Sequence, residues 1–271
     1  MNQDSITDTD DDAPSFTDTD AFAGDELRRP SRGVYLLPNL LTTGTLFSGF
    51  YAIVAAIDGN FSRAGMAVFI AMIFDGLDGR VARWTNTQSA FGKEYDSLSD
   101  MVAFGLAPSI VAYQWGVKAI AEYGKLWGRF GWLAAFFYAV CAALRLARFN
   151  VKVETSDKRY FEGLPSPSAA ACVAGFIWVS SEYMVIGLPA LILGFSITAS
   201  IGALMVSRFS FWSGKDLNLR EKVPVAYLAL VPLFYIIYAA GPAEALLITF
   251  GSYAASAPLW WLWRKLVKKQ V

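Results

Sequence analysis

The sequence contains no histidine. That removes the usual general base and the usual zinc ligand, so any chemistry here must be run by carboxylates, cations and bound metal. Cysteine is nearly absent too: Cys141 and Cys172 both sit inside apolar runs, where a thiol behaves as a small hydrophobe, so packing and not a disulfide is expected. Charged residues make up only 17% of the chain, and residues 1–26 carry nine acids with no lysine or arginine. Without a basic start followed by an apolar run, that segment does not read as a secretory signal. Rich in Asp, Thr and Ser, it cannot bury enough apolar surface to fold. Residues 1–27 are therefore expected to be a disordered acidic tail, residues 28–271 to form one domain, and no nucleic-acid partner is expected.

What is abundant is apolar surface, at 55% of residues. Runs of about 20 residues, enough to cross a bilayer core, fall near 36–57, 64–84, 94–117, 128–149, 166–184, 186–206, 224–241 and 243–264. A large soluble helical protein also buries apolar helices, but those normally keep a polar stripe, which several of these runs lack. The expected fold is an all-α integral membrane protein of about eight transmembrane helices. With eight spans and the N-terminus inside, 19 Lys and Arg fall on the cytoplasmic side and four outside, as the bias of cytoplasmic loops requires. A multi-pass protein of the inner membrane with a cytoplasmic N-terminus is expected. Of the segments between runs, GDELRRPSRGVYLLPN reads either as a basic and aromatic segment lying along the membrane surface or as plain linker. The loops at 151–168 and 207–224 are polar and broken by Gly and Pro.

One stretch breaks the pattern. FDGLDGRVARWTNTQSAFGKEYDSLSD, Phe74 to Asp100, holds four aspartates in an otherwise apolar region. On a helix, positions three and four apart share a face. Asp75, Asp78, Gly79 and Ala82 line one such strip, and Gly92, Asp96 and Asp100 line another after a turn. Small residues beside the carboxylates leave room for a ligand to approach the backbone. Four carboxylates in a low-dielectric setting repel one another unless a cation neutralises them. An all-oxygen donor set suits Mg²⁺ or Mn²⁺, and two ions can be shared among four aspartates. Such ions keep positions open for phosphate oxygens, so a diphosphate is the natural ligand, with Arg83 as a fork-shaped partner. Two alternatives stand beside this reading: plain salt bridges such as Asp78 with Arg83, and the proton or ion relay of a transporter.

The spacing Asp75-x-x-Asp78-Gly79-x-x-Ala82-Arg83, eight residues, Gly92-x-x-x-Asp96-x-x-x-Asp100 resembles the signature of the CDP-alcohol phosphotransferase family at every fixed position. The resemblance implies a membrane-embedded helical enzyme with a six-helix core, here followed by a C-terminal pair. It also implies a homodimer whose site opens to the cytoplasm. It makes Asp75, Asp78 and Asp96 metal ligands, Asp100 a ligand and the catalytic base, and Gly79, Ala82, Arg83 and Gly92 contacts of the cytidine diphosphate. LPNLLTTGTLFSG, ALRLARFNV and FEGLPSPSAA further resemble those family members that pass a phosphatidyl group from CDP-diacylglycerol to L-serine. Glycerol 3-phosphate, inositol or its phosphate, and choline remain alternative acceptors.

Three groups near these segments carry expectations of their own. Arg145 and Arg148, with Asn150, can meet a carboxylate or phosphate of the acceptor; ordinary positive flanking competes. Asn39 and Thr42 can bond the nucleotide or orient a ligand, or merely cap a helix. Phe161–Pro167 reads as a stiffened loop able to cover a polar substrate, or as a connector.

Overall fold

The computed structural model describes residues 32–120, 123–152, 160–185, 187–212 and 238–267. The acidic tail, most of the expected seventh run (224–237) and much of the second cytoplasmic loop lie outside the described residues. The chain runs α1 (Arg32–Ile57), α2 (Phe61–Trp84), α3 (Ala90–Asp100), a π turn (Met101–Leu106) and α4 (Ala107–Ile120). It continues through α5 (Lys125–Lys152), β1 (Tyr160–Glu162), α6 (Ser166–Glu182), α7 (Leu188–Val206) and β2 (Ser210–Trp212) to α8 (Pro242–Val267). Helix α3, the π turn and α4 form one rod, so the run expected at 94–117 is a single helical element with a defect in it.

The helices pack through small residues. Ala52, Ala67, Ala71, Ala103, Ala107, Ala170 and Ala174 are buried at the crossings of α1, α2, α4 and α6. Large side chains face outward instead: Leu36, Phe47, Phe50, Ile73, Trp132 and Phe136 are all exposed. Small inside and large apolar outside is the arrangement of a bundle solvated by lipid, because lipid offers no hydrophobic drive between helices and only close contact holds them. The protein is an all-α membrane protein. Among the described residues, four helices are long and apolar enough to cross a bilayer: Leu36–Ile57, Gly128–Val151, Leu188–Val206 and Pro242–Val267. The other expected spans present in the structure fall short for local reasons. Helix α2 carries Asp75, Asp78, Arg80 and Arg83, the π turn divides the α3–α4 rod into α-helices of 11 and 14 residues, and α6 has 17 residues.

The one sheet is a two-stranded antiparallel staple, Phe161 opposite Phe211 and Glu162 opposite Ser210. It continues into backbone bonds from Gly163 N–H to the Phe209 carbonyl (2.9 Å) and from Leu164 N–H to the Leu204 carbonyl (3.0 Å). Gly163 sits at φ 80°, and a Cβ there would lie 2.2 Å from the Met205 carbonyl oxygen, so only glycine fits. Leu164 and Ser166 are fully buried just beyond. The segment Phe161–Pro167, expected as a cover or connector, is thus sewn to the end of α7. The pairing is non-local, which is why local sequence signals did not show it.

Candidate active site

Asp75 and Asp78 lie in the second half of α2, Asp96 and Asp100 in the second half of α3, and a five-residue turn brings the two faces together. The turn is built locally. The Thr85 hydroxyl lies 2.8 Å from the Val81 carbonyl and 2.7 Å from the Thr87 hydroxyl. Asn86 takes the left-handed φ of 51° that asparagine tolerates. Ser89 then caps α3 by accepting the Gly92 N–H at 2.9 Å.

Asp75, Asp78 and Asp96 each offer an oxygen, and these oxygens all lie within 4.8 Å of one another. Asp100 stands beside them, close enough for its charge to act on all three. Asp78 is 5% exposed, and its Oδ2 lies 2.9 Å from the Thr42 hydroxyl of α1, which also reaches the Pro38 carbonyl at 3.1 Å. Oδ1 of Asp96 and Oδ1 of Asp100 are buried with no hydrogen-bond partner. Buried carboxylate oxygens left bare are costly, and burying several together multiplies the cost. Close spacing, an oxygen-only donor set and bare inward oxygens together fit a hard divalent cation. The Asp78–Arg83 ion pair, which would have made the pattern merely structural, does not form among the described residues.

Beside the carboxylates lies a cavity of about 510 Å³ lined by Asp78, Asp96 and all six residues expected to meet a nucleotide: Asn39, Thr42, Gly79, Ala82, Arg83 and Gly92. Arg83 swings over Gly79, where a Cβ would sit 4.0 Å from its Nη1. Asn39 faces Gly92, its Oδ1 3.8 Å from where a Cβ would be. The volume and the mixed lining suit a nucleotide-sized ligand. Sequence reasoning missed Pro38, Thr87, Gln88, Ser89, Ala90 and Lys93 in this wall. A serine three residues before Gly92 is the ordinary signal of the cap that starts α3.

The three residues expected at the acceptor part company. Arg145 donates from Nη1 to Ser166 Oγ at 2.6 Å, its Nε is buried without a partner, and its charge acts on Asp100 and Asp75. Asn150 donates to Ser97 Oγ at 2.9 Å, one residue from Asp96. Arg148, by contrast, pairs with Glu162 and donates to the Val206 carbonyl at 3.3 Å. It fastens α5 to the β-staple and to the C-terminal end of α7. Helical spacing places Arg145 and Arg148 near one another, but their rotation sends them to different partners.

The model of the family described as CDP-alcohol phosphatidyltransferase matches residues 35–206. The CDP-diacylglycerol–serine O-phosphatidyltransferase of Helicobacter pylori is 36% identical over 233 residues, covering 86% of this chain and 94% of the relative. The enzyme of the same name from Saccharomyces cerevisiae is 35% identical, over 61% of this chain and 62% of its own. An archaetidylserine synthase from Methanothermobacter thermautotrophicus is 39% identical over 52% of this chain and 57% of its own. Among solved structures, phosphatidylinositol phosphate synthase of Mycobacterium tuberculosis with manganese and citrate superposes with a TM-score of 0.46 at 22% identity. That superposition covers 64% of this chain and 78% of the other.

Proposed function

The chain belongs to the CDP-alcohol phosphatidyltransferase family, and on that premise we propose that it transfers the phosphatidyl group of CDP-diacylglycerol to the hydroxyl of L-serine. The products are phosphatidylserine and CMP. The observation that carries the chemistry is the aspartate cluster, with unpartnered oxygens on Asp96 and Asp100, beside a cavity that Asp78 and Asp96 line together with Arg83 and small residues. The acceptor follows from the serine-using Helicobacter relative, which this chain matches over nearly its whole length.

Asp75, Asp78 and Asp96, with Asp100, would hold Mg²⁺ or Mn²⁺, two ions being shared among the four carboxylates. When bound, the metal draws charge from the diphosphate and stabilises the departing CMP. Gly79, Ala82 and Gly92 leave the wall low enough for the nucleotide to lie against the backbone. Asn39 offers an amide to it, and Thr42 keeps Asp78 in place. Arg83 adds a guanidinium to the phosphate oxygens. Arg145 receives the serine carboxylate, with Asn150 holding α5 against α3 beside it. Arg148 serves from a distance by keeping the Glu162 segment docked.

In the reaction the serine oxygen bonds to the phosphorus next to diacylglycerol while the bond from that phosphorus to the CMP oxygen breaks. The hydroxyl proton passes to Asp100. A carboxylate is a weak base for an alcohol, so in-line placement must supply part of the rate. No enzyme nucleophile is needed. The site lies on the cytoplasmic side of the inner membrane, where serine and nucleotide arrive from water and the lipid tails enter sideways between helices, and the working unit is a homodimer.

Incubating the purified protein with CDP-diacylglycerol and, in turn, serine, glycerol 3-phosphate, inositol, inositol phosphate and choline tests this directly. CMP release with serine alone is expected. Turnover only with another alcohol would replace the acceptor and keep the family chemistry.

A further inference from the structure

The rod Ala90–Ile120 is not uniform: the π turn Met101–Leu106 begins at the residue after Asp100. Within it the Ala107 N–H bonds the Val102 carbonyl, five residues back instead of four. The extra residue turns everything downstream by about 100° relative to an unbroken α-helix. It also loosens the in-helix bonding of the carbonyls it passes, and such turns gather at functional sites.

Two elements grip this turn. From α5, the hydroxyl of fully buried Tyr138 donates to the Phe104 carbonyl at 3.0 Å. From α1, Gly49 comes so close that a Cβ there would lie 2.6 Å from Ala103 Cα. The same α1 holds Asp78 through Thr42, and its Thr43 hydroxyl lies 2.9 Å from the Tyr95 hydroxyl of α3. Oδ1 of Asp100 has no partner of its own, so no bond to that oxygen sets its direction, and the rotation of α3 against the π turn bears on where it points.

We propose that Tyr138 is a positioning residue for phosphatidyl transfer: its hydroxyl holds the π turn that aims Asp100, and with it Asp96, at the acceptor alcohol. This rests on the reading of the reaction given above. A Tyr138 that only filled space would be replaced by phenylalanine at little cost to turnover, since the ring would remain. A hydroxyl that sets the aim of a base loses kcat when removed, while substrate binding stays.

The test uses the full chain in nanodiscs, with CMP release measured against CDP-diacylglycerol and serine in Mn²⁺. Tyr138→Phe is expected to lower kcat about tenfold or more with both KM values within about twofold. Tyr138→4-aminophenylalanine, which keeps a donor at the same place, is expected to recover most of that loss. An unchanged kcat in Tyr138→Phe, a loss confined to KM, or no recovery by the amine would overturn the proposal. If Tyr138→Phe does not fold, Gly49→Ala presses on the turn from the other side with Tyr138 intact. The same loss in kcat alone is expected there, and a wild-type kcat would overturn the proposal. A wild-type protein that releases no CMP with serine would instead overturn the reaction itself.

Discussion

Two neighbouring clusters of charge differ in one respect that decides their roles. In the aspartate seam between α2 and α3, Oδ1 of Asp96 and Oδ1 of Asp100 are buried without partners, and Nε of Arg145 is left the same way. At the staple between α5, β1 and α7, Arg148 is matched to Glu162 and to the Val206 carbonyl. A matched, half-exposed pair holds elements together. An unmatched, buried set fits a socket for partners from outside the chain, because leaving such groups bare is costly at several points at once. The same contrast separates Arg145 from Arg148, three residues apart on one helix.

The contrast is broken most severely at the seam. Asp96→Asn and Asp100→Asn should each lower kcat about a thousandfold or more while the variants stay folded, because in the proposed reaction they remove metal and proton chemistry but no packing. Purification with an unchanged elution profile, followed by CMP release, checks both halves of that statement. Arg145→Gln should raise the KM for serine about tenfold or more and leave that for CDP-diacylglycerol nearly alone. Equal effects on the two substrates would mean that Arg145 acts only by balancing the carboxylates. Thr42→Val removes the hydroxyl beside Asp78 and is expected to cost about 1 kcal/mol of stability. A several-fold fall in kcat should accompany it, read by thermal unfolding and steady-state assay. At the staple, Glu162→Gln should be the mildest change. The pair is partly exposed, so about 0.5 kcal/mol of stability or less is at stake, with kcat within about twofold; a collapse of activity there would erase the distinction between the clusters.

How far the seam was legible follows from its spacing. Asp75 with Asp78 and Asp96 with Asp100 sit at helical intervals, so each face could be read locally, and the chain between them is too short to let the faces separate. Thr42 was visible as a residue on the first helix, but its bond to Asp78 spans 36 positions, which no local pattern encodes. The staple was illegible for the same reason, as β1 pairs with a strand about 50 residues away. The parting of Arg145 from Arg148 depends on how α5 is rotated, and a helix apolar nearly all round carries no stripe from which to read rotation. The π turn is harder still, because MVAFGL reads as ordinary helix and its form shows only in the Ala107–Val102 bond, the close approach of Gly49 from α1 and the Tyr138 bond from α5.

The socket itself can be weighed without turnover. Titrating Mn²⁺ into the metal-stripped full-length protein, followed by electron paramagnetic resonance, should show ions taken up by the wild type. Uptake should be lost in Asp75→Asn with Asp78→Asn, and the wild type should melt higher as the metal concentration rises, with the logarithm of that concentration. Equal uptake by wild type and double variant, or none by either in the presence of CDP-diacylglycerol, would contradict the assignment of these aspartates.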